Sequence, residues 1–288
     1  DKEIPCNALI LATGHSARDV YHLLHTRKAS LESKPLAIGI RLEAPQTQIN
    51  QSQYGRFAGH PRLKAASFRV TRRPENEARA CYSFCMCPGG LVICCASEHG
   101  ALTTNGMSYS GRDSIWGNAA FIVPVEPTDF ADPAFASSGK ELAGLLFQEK
   151  IEKAAFTAGG GDFVVPALML ADFLAAKISD SLPANRSCLR SAPACFDSIL
   201  PEFVTRTLRQ SLPPMLRELG NINFADCIVY AAETRSSSAV RILRDETGQS
   251  PTLRGLFPAG EGAGYAGGIV SSAVDGLKAA EQLTANLI

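Results

Sequence analysis

Residues 255–276 read GLFPAGEGAGYAGGIVSSAVDG. Seven of the chain's 24 glycines fall in this one stretch, so the cluster needs a cause. Gly255 to Ala259 has the apolar character of a short strand, and Ile269 to Leu287 has the periodicity of an amphipathic helix. Its apolar positions Ile269, Val270, Ala273, Val274, Leu277 and Ala280 fit one face. Strand, glycine loop and helix together form a cradle for a polar or anionic cofactor. Glycines let the backbone approach, and the helix start offers unpaired N–H groups with partial positive charge. Glu261 then stands at the strand's carboxyl end, where open α/β sheets bind ligands and where a carboxylate can hold a hydroxyl chain. The alternative is a mobile hinge, which would not usually be flanked by so regular a strand and helix.

Working outward, Cys6 to Ala12 (CNALILA) is a buried-strand run that stops at Thr13-Gly14, and a helix is expected from Ser16 through Leu24. The two chain ends are therefore expected to pair as neighbouring strands. Between them the texture changes. Strands are expected at Ala37–Leu42, Ala65–Thr71, Arg79–Met86, Leu91–Ala96, Ala119–Val125, Asp226–Glu233 and Ala239–Arg244. Pro88-Gly89-Gly90 predicts a hairpin between the third and fourth of these. Helices are expected at Lys140–Phe156, ended by Gly159-Gly160-Gly161, at Val165–Ile178, and at Glu202–Leu219 with a kink or break at Pro213-Pro214. The fold class is α/β plus α+β. Residues 1–33 and 250–288 form one discontinuous α/β domain, and residues 34–249 form a large α+β insertion.

The charge balance narrows the partners. Lys+Arg and Asp+Glu are 28 each in 288 residues, which gives no electrostatic reason to expect nucleic acid or an anionic membrane. Charged residues are only 19%, which points to a large core or a concave site and excludes a disordered chain. The longest apolar candidate for a membrane span, Phe163 to Ala176, is broken by Pro166 and Asp172. Nine cysteines, an odd number in a chain long enough to build a core, read as reduced thiols in a cytosol-like compartment. The sequence opens on Asp rather than Met, with no secretory signal, so a cropped N-terminus is expected.

GLFPAGE followed by Gly267-Gly268-Ile269 resembles the second FAD-binding motif of the glutathione-reductase-like, two-motif flavoproteins, and Ala8 to Gly14 resembles the strand that lies beside their cofactor. The likeness is closer to one branch, the bacterial and plastid FAD-dependent dehydrogenases. It is carried by ATGHSARD (Ala12–Asp19), KPLAIGIRLEAPQ (Lys34–Gln46), QYG (Gln53–Gly55), FCMCPGG (Phe84–Gly90), TNGMS (Thr104–Ser108), ETRSSSAVRI (Glu233–Ile242) and GEGAGYAGGI (Gly260–Ile269). The resemblance implies a partial Rossmann-like FAD-binding domain made of both chain ends, with the insertion as a substrate or cap domain. It implies non-covalent FAD held by Thr13, Gly14, His15, Gly260, Glu261, Gly262, Ala263, Gly267, Gly268 and Ile269, with NAD(P)H as a possible electron donor. The implied compartment is cytoplasm or plastid stroma. The family's opening strand and G-x-G-x-x-G loop, which grip the ADP half of FAD, are not in this sequence. The implied partner is therefore that ADP-binding segment, and the chain alone should hold FAD weakly. Ala239 stands where the family usually has proline, and Trp116 to Ala119 departs from an Asn-rich stretch.

Other residues carry two readings each. Cys85 and Cys87 would share a strand face, with Cys94 and Cys95 returning on a partner strand. This is either a set of small buried side chains or a thiol pair approaching the flavin; the spacing is poor for zinc. Arg235, in Glu233-Thr234-Arg235-Ser236-Ser237-Ser238, could bind a substrate carboxylate or make a structural ion pair. His15 could donate to the cofactor or bond the backbone at a helix start. Lys34, Arg41 and Gln46 could line the insertion's ligand face or form a salt-bridged strand edge. Cys85, Cys87 and Arg235 are the catalytic candidates. The expected function is flavin-mediated hydride or electron transfer to or from a small molecule. The alternative is a binding or assembly module in which FAD is structural.

Overall fold

The computed structural model describes residues 3–75, 78–135, 139–220 and 222–287. The chain forms two compact units. The first comprises Asp1–Leu36, Val125–Gln148 and Arg235–Ile288; the second comprises Ala37–Pro124 and Glu149–Thr234. These units do not coincide with a single 34–249 insertion, because residues 125–148 and 235–249 group with the chain ends. The core of the first unit explains the grouping. Leu142, Leu145, Val240 and Ile242 close the apolar side presented by Tyr21, Leu24, Leu31 and Leu256.

In the first unit, β1 (Leu9–Leu11) pairs with β13 (Leu256–Pro258) in parallel, Ile10 opposite Phe257, as the apolar runs at the two ends predict. Helix α1 (Arg18–Thr26) buries Tyr21 and Leu24, and carries Asp19 in its first turn and His25 in its last, both favourable to the helix dipole. Strand β2 (Leu31–Ser33) pairs antiparallel with β12 (Val240–Ile242).

The terminal helix α6 (Ile269–Leu287) falls where expected, with its apolar stripe turned outward. Ile269 is 91% exposed, Val270 76% and Leu277 68%, while Ala279 is buried. The inward side is held by small residues and by the Asp275 carboxylate rather than by the apolar stripe. Leu9 and Ile10 of β1 are also exposed.

The second unit is built on a seven-stranded sheet, in the order β10-β9-β11-β3-β8-β5-β4. Its strands are β3 (Leu36–Pro45), β4 (Thr71–Arg72), β5 (Cys81–Cys87), β8 (Trp116–Val125), β9 (Val165–Met169), β10 (Ser191–Pro193) and β11 (Ile228–Glu233). β3 and β8 read as near-continuous apolar runs because both lie inside the sheet and are buried on both faces. Gly39 is required there, since a Cβ would strike the Phe121 carbonyl of β8. A separate antiparallel pair joins β6 (Gly90–Cys95) to β7 (Thr103–Ser108). The remaining helices are α2 (Gln46–Tyr54), α3 (Ala143–Ala158), α4 (Leu170–Leu174) and α5 (Glu202–Glu218).

Four expectations need correction. The 65–71 strand is reduced to Thr71–Arg72, although Ala66, Phe68 and Val70 still alternate inward. The 165–178 helix is instead strand β9 followed by the short α4; Val165-Pro166 suits a strand, and β11 and β10 flank it. Pro213-Pro214 neither breaks nor ends α5, which buries Val204, Leu208, Leu212 and Met215 along one side. Finally, β5 and β6 do not form a hairpin. β5 pairs with β4 and β8, whereas β6 pairs with β7. At the turn between β5 and β6, Gly89, at φ 53°, packs against the Arg112 carbonyl. No helix among the described residues is long and apolar enough to cross a membrane.

Candidate functional site

The glycine loop leaves β13 at Ala259 and reaches α6 at Ile269. Its shape is set by two backbone approaches. A Cβ on Gly262 would lie 2.6 Å from the Gly14 carbonyl carbon, so the loop from β13 and the loop from β1 meet with no side chain between them. Gly14 itself sits at φ 80°, a left-handed conformation that favours glycine. A Cβ on Gly264 would meet the Arg241 and Val240 backbone at 3.0 Å. Gly267 and Gly268 differ. A Cβ on Gly267 would meet nothing within 4 Å, and on Gly268 only Ser271 Oγ at 3.9 Å. Nothing in the described chain needs a glycine there; the open space is on the outside of the α6 N-terminus.

Polar contacts pin the loop from beneath. The Tyr21 hydroxyl donates to the Gly262 carbonyl at 2.7 Å, and burial pushes its pKa up, so it stays a neutral donor. The Gly260 N–H donates to Asp275 Oδ2 of α6 at 2.7 Å. Asp275 also pairs with Arg244 at 3.1 Å, and the Arg244 guanidinium lies over the Tyr265 ring, 3.6 Å from its centre. Replacing Asp275 with alanine strips the Arg244 guanidinium of its carboxylate, leaving it the Pro258 carbonyl at 3.2 Å and the Tyr265 ring, and leaves the Gly260 N–H without its acceptor. It should destabilise the first unit by about 1.5–3 kcal/mol, read from the thermal midpoint by circular dichroism.

A charged group gathers at the loop's entrance. His15 Nε2 is 3.9 Å from Glu261 Oε1. Burial raises the Glu261 carboxyl above the usual glutamate range, while Lys34 opposes the shift. The Lys34 amine is lowered by its own burial and by Arg241, and is held up by Glu261. Arg235 donates to Ser16 Oγ at 3.0 Å. The first unit thus brings together Gly14, His15, Gly260, Glu261 and Gly262. Thr13 is exposed beside them, and Ile269 is almost wholly exposed at the helix start. Ala263 is buried; its carbonyl accepts from the Ile242 N–H, tying the loop to β12.

The second unit holds Cys85 and Cys87, with Arg41 beneath them. Arg41 is fully buried and every guanidinium N–H has an acceptor. Nε and Nη2 grip Glu233 at 2.9 Å each, Nη1 reaches Asn118 Oδ1 at 2.9 Å and the Cys85 carbonyl at 3.3 Å, and Nη2 also reaches Asn105 Oδ1 at 3.2 Å. The strand is irregular between Phe84 and Cys87, and Cys85 takes φ 40°. The two thiols therefore do not simply alternate as on a flat strand. Burial pushes the Cys87 thiol up, with Arg41 pulling the other way, so Cys87 is not a ready thiolate. Cys94 and Cys95 lie on β6, in another sheet, so the expected four-thiol hairpin is absent. Arg235 belongs to the first unit and Cys85 and Cys87 to the second. Of the three cationic or polar residues first grouped on the insertion, Lys34 belongs to the glycine-loop unit; Arg41 and Gln46 belong to the sheet unit. Sequence reasoning missed Tyr21, whose partner Gly262 is 241 residues on, and Asp275, which ties α6 back to Gly260 and Arg244.

The donor set fits FAD: an acid beside a close glycine pair, then an uncluttered helix N-terminus. The family model for "FAD-dependent protein, C-terminal domain-like" matches residues 35–236, a span that stops short of the glycine loop. An uncharacterized protein of Clostridium beijerinckii is 41% identical over 98% of this chain, and the chain spans about half (52%) of that relative's length. With its match to most of the chain and that relative beside it, the protein belongs to the family of FAD-dependent proteins with this C-terminal-like domain.

Proposed function

We propose that this chain is the part of an FAD-dependent oxidoreductase that holds the flavin end of the cofactor and its small-molecule substrate. In this reading it is a glutathione-reductase-like, two-motif flavoprotein, with a partial Rossmann-like domain formed by the first unit. The observation that carries the reading is the side-chain-free meeting of Gly262 with Gly14, flanked by Glu261 and the open N-terminus of α6. Glu261 would accept hydrogen bonds from the ribityl hydroxyls. The backbone at Gly267, Gly268 and Ile269 would face the electron-rich edge of the ring, with the helix dipole favouring negative charge there; the Gly267 N–H, which donates to Ser271 Oγ at 3.3 Å, would have to be shared or released. When bound, FAD supplies hydride and electron-transfer chemistry. Arg235 is the group suited to a substrate carboxylate. The raised Cys87 thiol favours a packing role over a nucleophilic one.

The same reading assigns the partner. Ile269, Val270, Val274 and Leu277 on α6, with Leu9 and Ile10 on β1, leave apolar surface uncovered in the first unit. A relative of about twice the length supports a further segment as the cover. The proposed occupant is the ADP-binding strand-and-G-x-G-x-x-G segment, adding a strand beside β1.

The test is the polypeptide carrying these residues, purified at its full length. Visible flavin bands that bleach with NAD(P)H or dithionite and recover with an acceptor are expected. A colourless protein that takes up no added FAD overturns the reading, and bound flavin without acceptor-dependent turnover favours a structural role. Glu261→Gln gives a second check. A carboxyl whose folded pKa is raised contributes stability that is present below the ordinary glutamate pKa and lost as pH rises through the folded value. The glutamine variant should therefore have a thermal midpoint at neutral pH equal to or above the parent's, while retaining less flavin. A lower midpoint at pH 7 than at pH 4 in the parent, flattened in the variant, would mark Glu261 as the source.

A further inference from the structure

A second cavity lies wholly within the sheet unit, between α2, the loop after it and the β7–β8 connection. It measures about 570 Å³, within the range of small-molecule sites. We propose that it binds a small organic anion: a planar apolar body carrying a carboxylate or phosphate group.

The walls supply both halves of that description. Trp116 and Tyr54 line the cavity. The Trp116 ring is 7% exposed and is fixed by an indole N–H donated to the Asn185 carbonyl at 2.8 Å, so it offers a rigid flat wall. Lys64 and Arg112 also line it, and neither has an ion-pair partner among the described residues. One carboxylate, Asp113, shares the lining with them, so the cavity carries an excess of positive charge. The Arg112 backbone is anchored at the cavity rim. It sits at φ 51° with its N–H donated to the Tyr109 carbonyl at 3.0 Å, and its own carbonyl packs against Gly89.

Two more donors are pre-oriented. The His60 ring accepts the Arg62 N–H at Nδ1, 3.2 Å, which leaves Nε2 as the protonated nitrogen of the neutral ring. Asn50 is fixed by a chain of obligatory donors. The Gly89 N–H can only donate, so Gln46 presents Oε1 to it at 2.8 Å and turns Nε2 to Asn50. The Ala66 N–H likewise holds Asn50 Oδ1 at 2.8 Å. The Asn50 amide nitrogen is left as the donor end on the cavity wall, with no partner among the described residues. Cations and amide donors around an aromatic wall suit an anion with a flat body.

This inference does not depend on flavin binding, so either proposal can fail alone. Trp116 is the chain's sole tryptophan, and its fluorescence reports on this cavity directly. Four probes are titrated into the full chain: benzoate, its neutral counterpart benzamide, phenyl phosphate and inorganic phosphate. Saturable quenching by benzoate and not by benzamide is expected. Phenyl phosphate binding as well as benzoate would assign the headgroup to either anion class. Arg112→Gln and Lys64→Gln should each weaken benzoate by roughly tenfold or more. Both side chains are exposed, so the folds should survive, with unchanged far-ultraviolet dichroism as the control. Benzamide binding as well as benzoate overturns the anionic half of the proposal. Inorganic phosphate binding as tightly as benzoate overturns the planar half. No quenching by any probe, or benzoate binding untouched by both variants, overturns the site.

Discussion

Glu233→Ala should lower the stability of the sheet unit by about 3–5 kcal/mol, because it leaves the Arg41 guanidinium buried without a counter-charge. Arg41 is 0% exposed and Glu233 4%, so neither water nor salt can replace the lost partner. The two Glu233 oxygens take two of the five guanidinium donors, and Thr104 Oγ1 lies 3.2 Å from one of them. Asn118 and Asn105 satisfy two more but carry no charge. Urea titration followed by Trp116 fluorescence measures the effect, since Trp116 belongs to the same unit. A double variant, Arg41→Met with Glu233→Leu, should recover much of the loss by removing both charges. A Glu233→Ala midpoint within error of the parent would mean that the pair contributes nothing.

Gly262→Ala and Gly267→Ala should separate two kinds of glycine in one loop. At Gly262 the added methyl meets Gly14 backbone at 2.6 Å, and backbone cannot rotate away as a side chain can. The expected cost is about 1–3 kcal/mol, with flavin retention lost as the two loops part. At Gly267 the methyl meets nothing in the chain. Stability should hold or rise by about 0.4–1 kcal/mol through the stiffer unfolded chain, yet flavin retention should still fall sharply. Thermal midpoints and flavin absorbance of the purified variants give both readings. If Gly267→Ala keeps its flavin, the α6 N-terminus is not the face that meets the ring.

Much of this was legible from local pattern. The parallel pairing of β1 with β13 follows from two apolar runs that each stop at a glycine turn. The buried β3 and β8 follow from their mostly apolar runs, interrupted by the buried Arg41 and Glu43 in β3 and Asn118 in β8. What failed was reading that assumed nearest neighbours in sequence are neighbours in space. Cys87 and Cys94 flank a Pro-Gly-Gly turn, yet their strands join different partners, and Gly89 of that turn packs on the Arg112 carbonyl from outside the segment. Val165 to Ile178 has helical apolar spacing, but the vacancy between β10 and β11 takes its first half as a strand. For α6 the stripe was legible and its direction was not: apolar periodicity tells which residues share a face, not whether this chain covers it. Likewise Tyr21 and the Arg41–Glu233 pair act across 192 to 241 residues, beyond any local window, while Asp275 reaches back 15 and 31 residues to Gly260 and Arg244.

The clamp of Arg244, Asp275 and Tyr265 bears on how a cofactor would be captured. It grips the helix from its polar side and fixes the Gly260 amide, independent of anything laid on the opposite, greasy flank. A cradle already rigid before its guest arrives loses little freedom on filling, so tightness there is governed by contact quality, and arrival should be quick rather than gated by ordering.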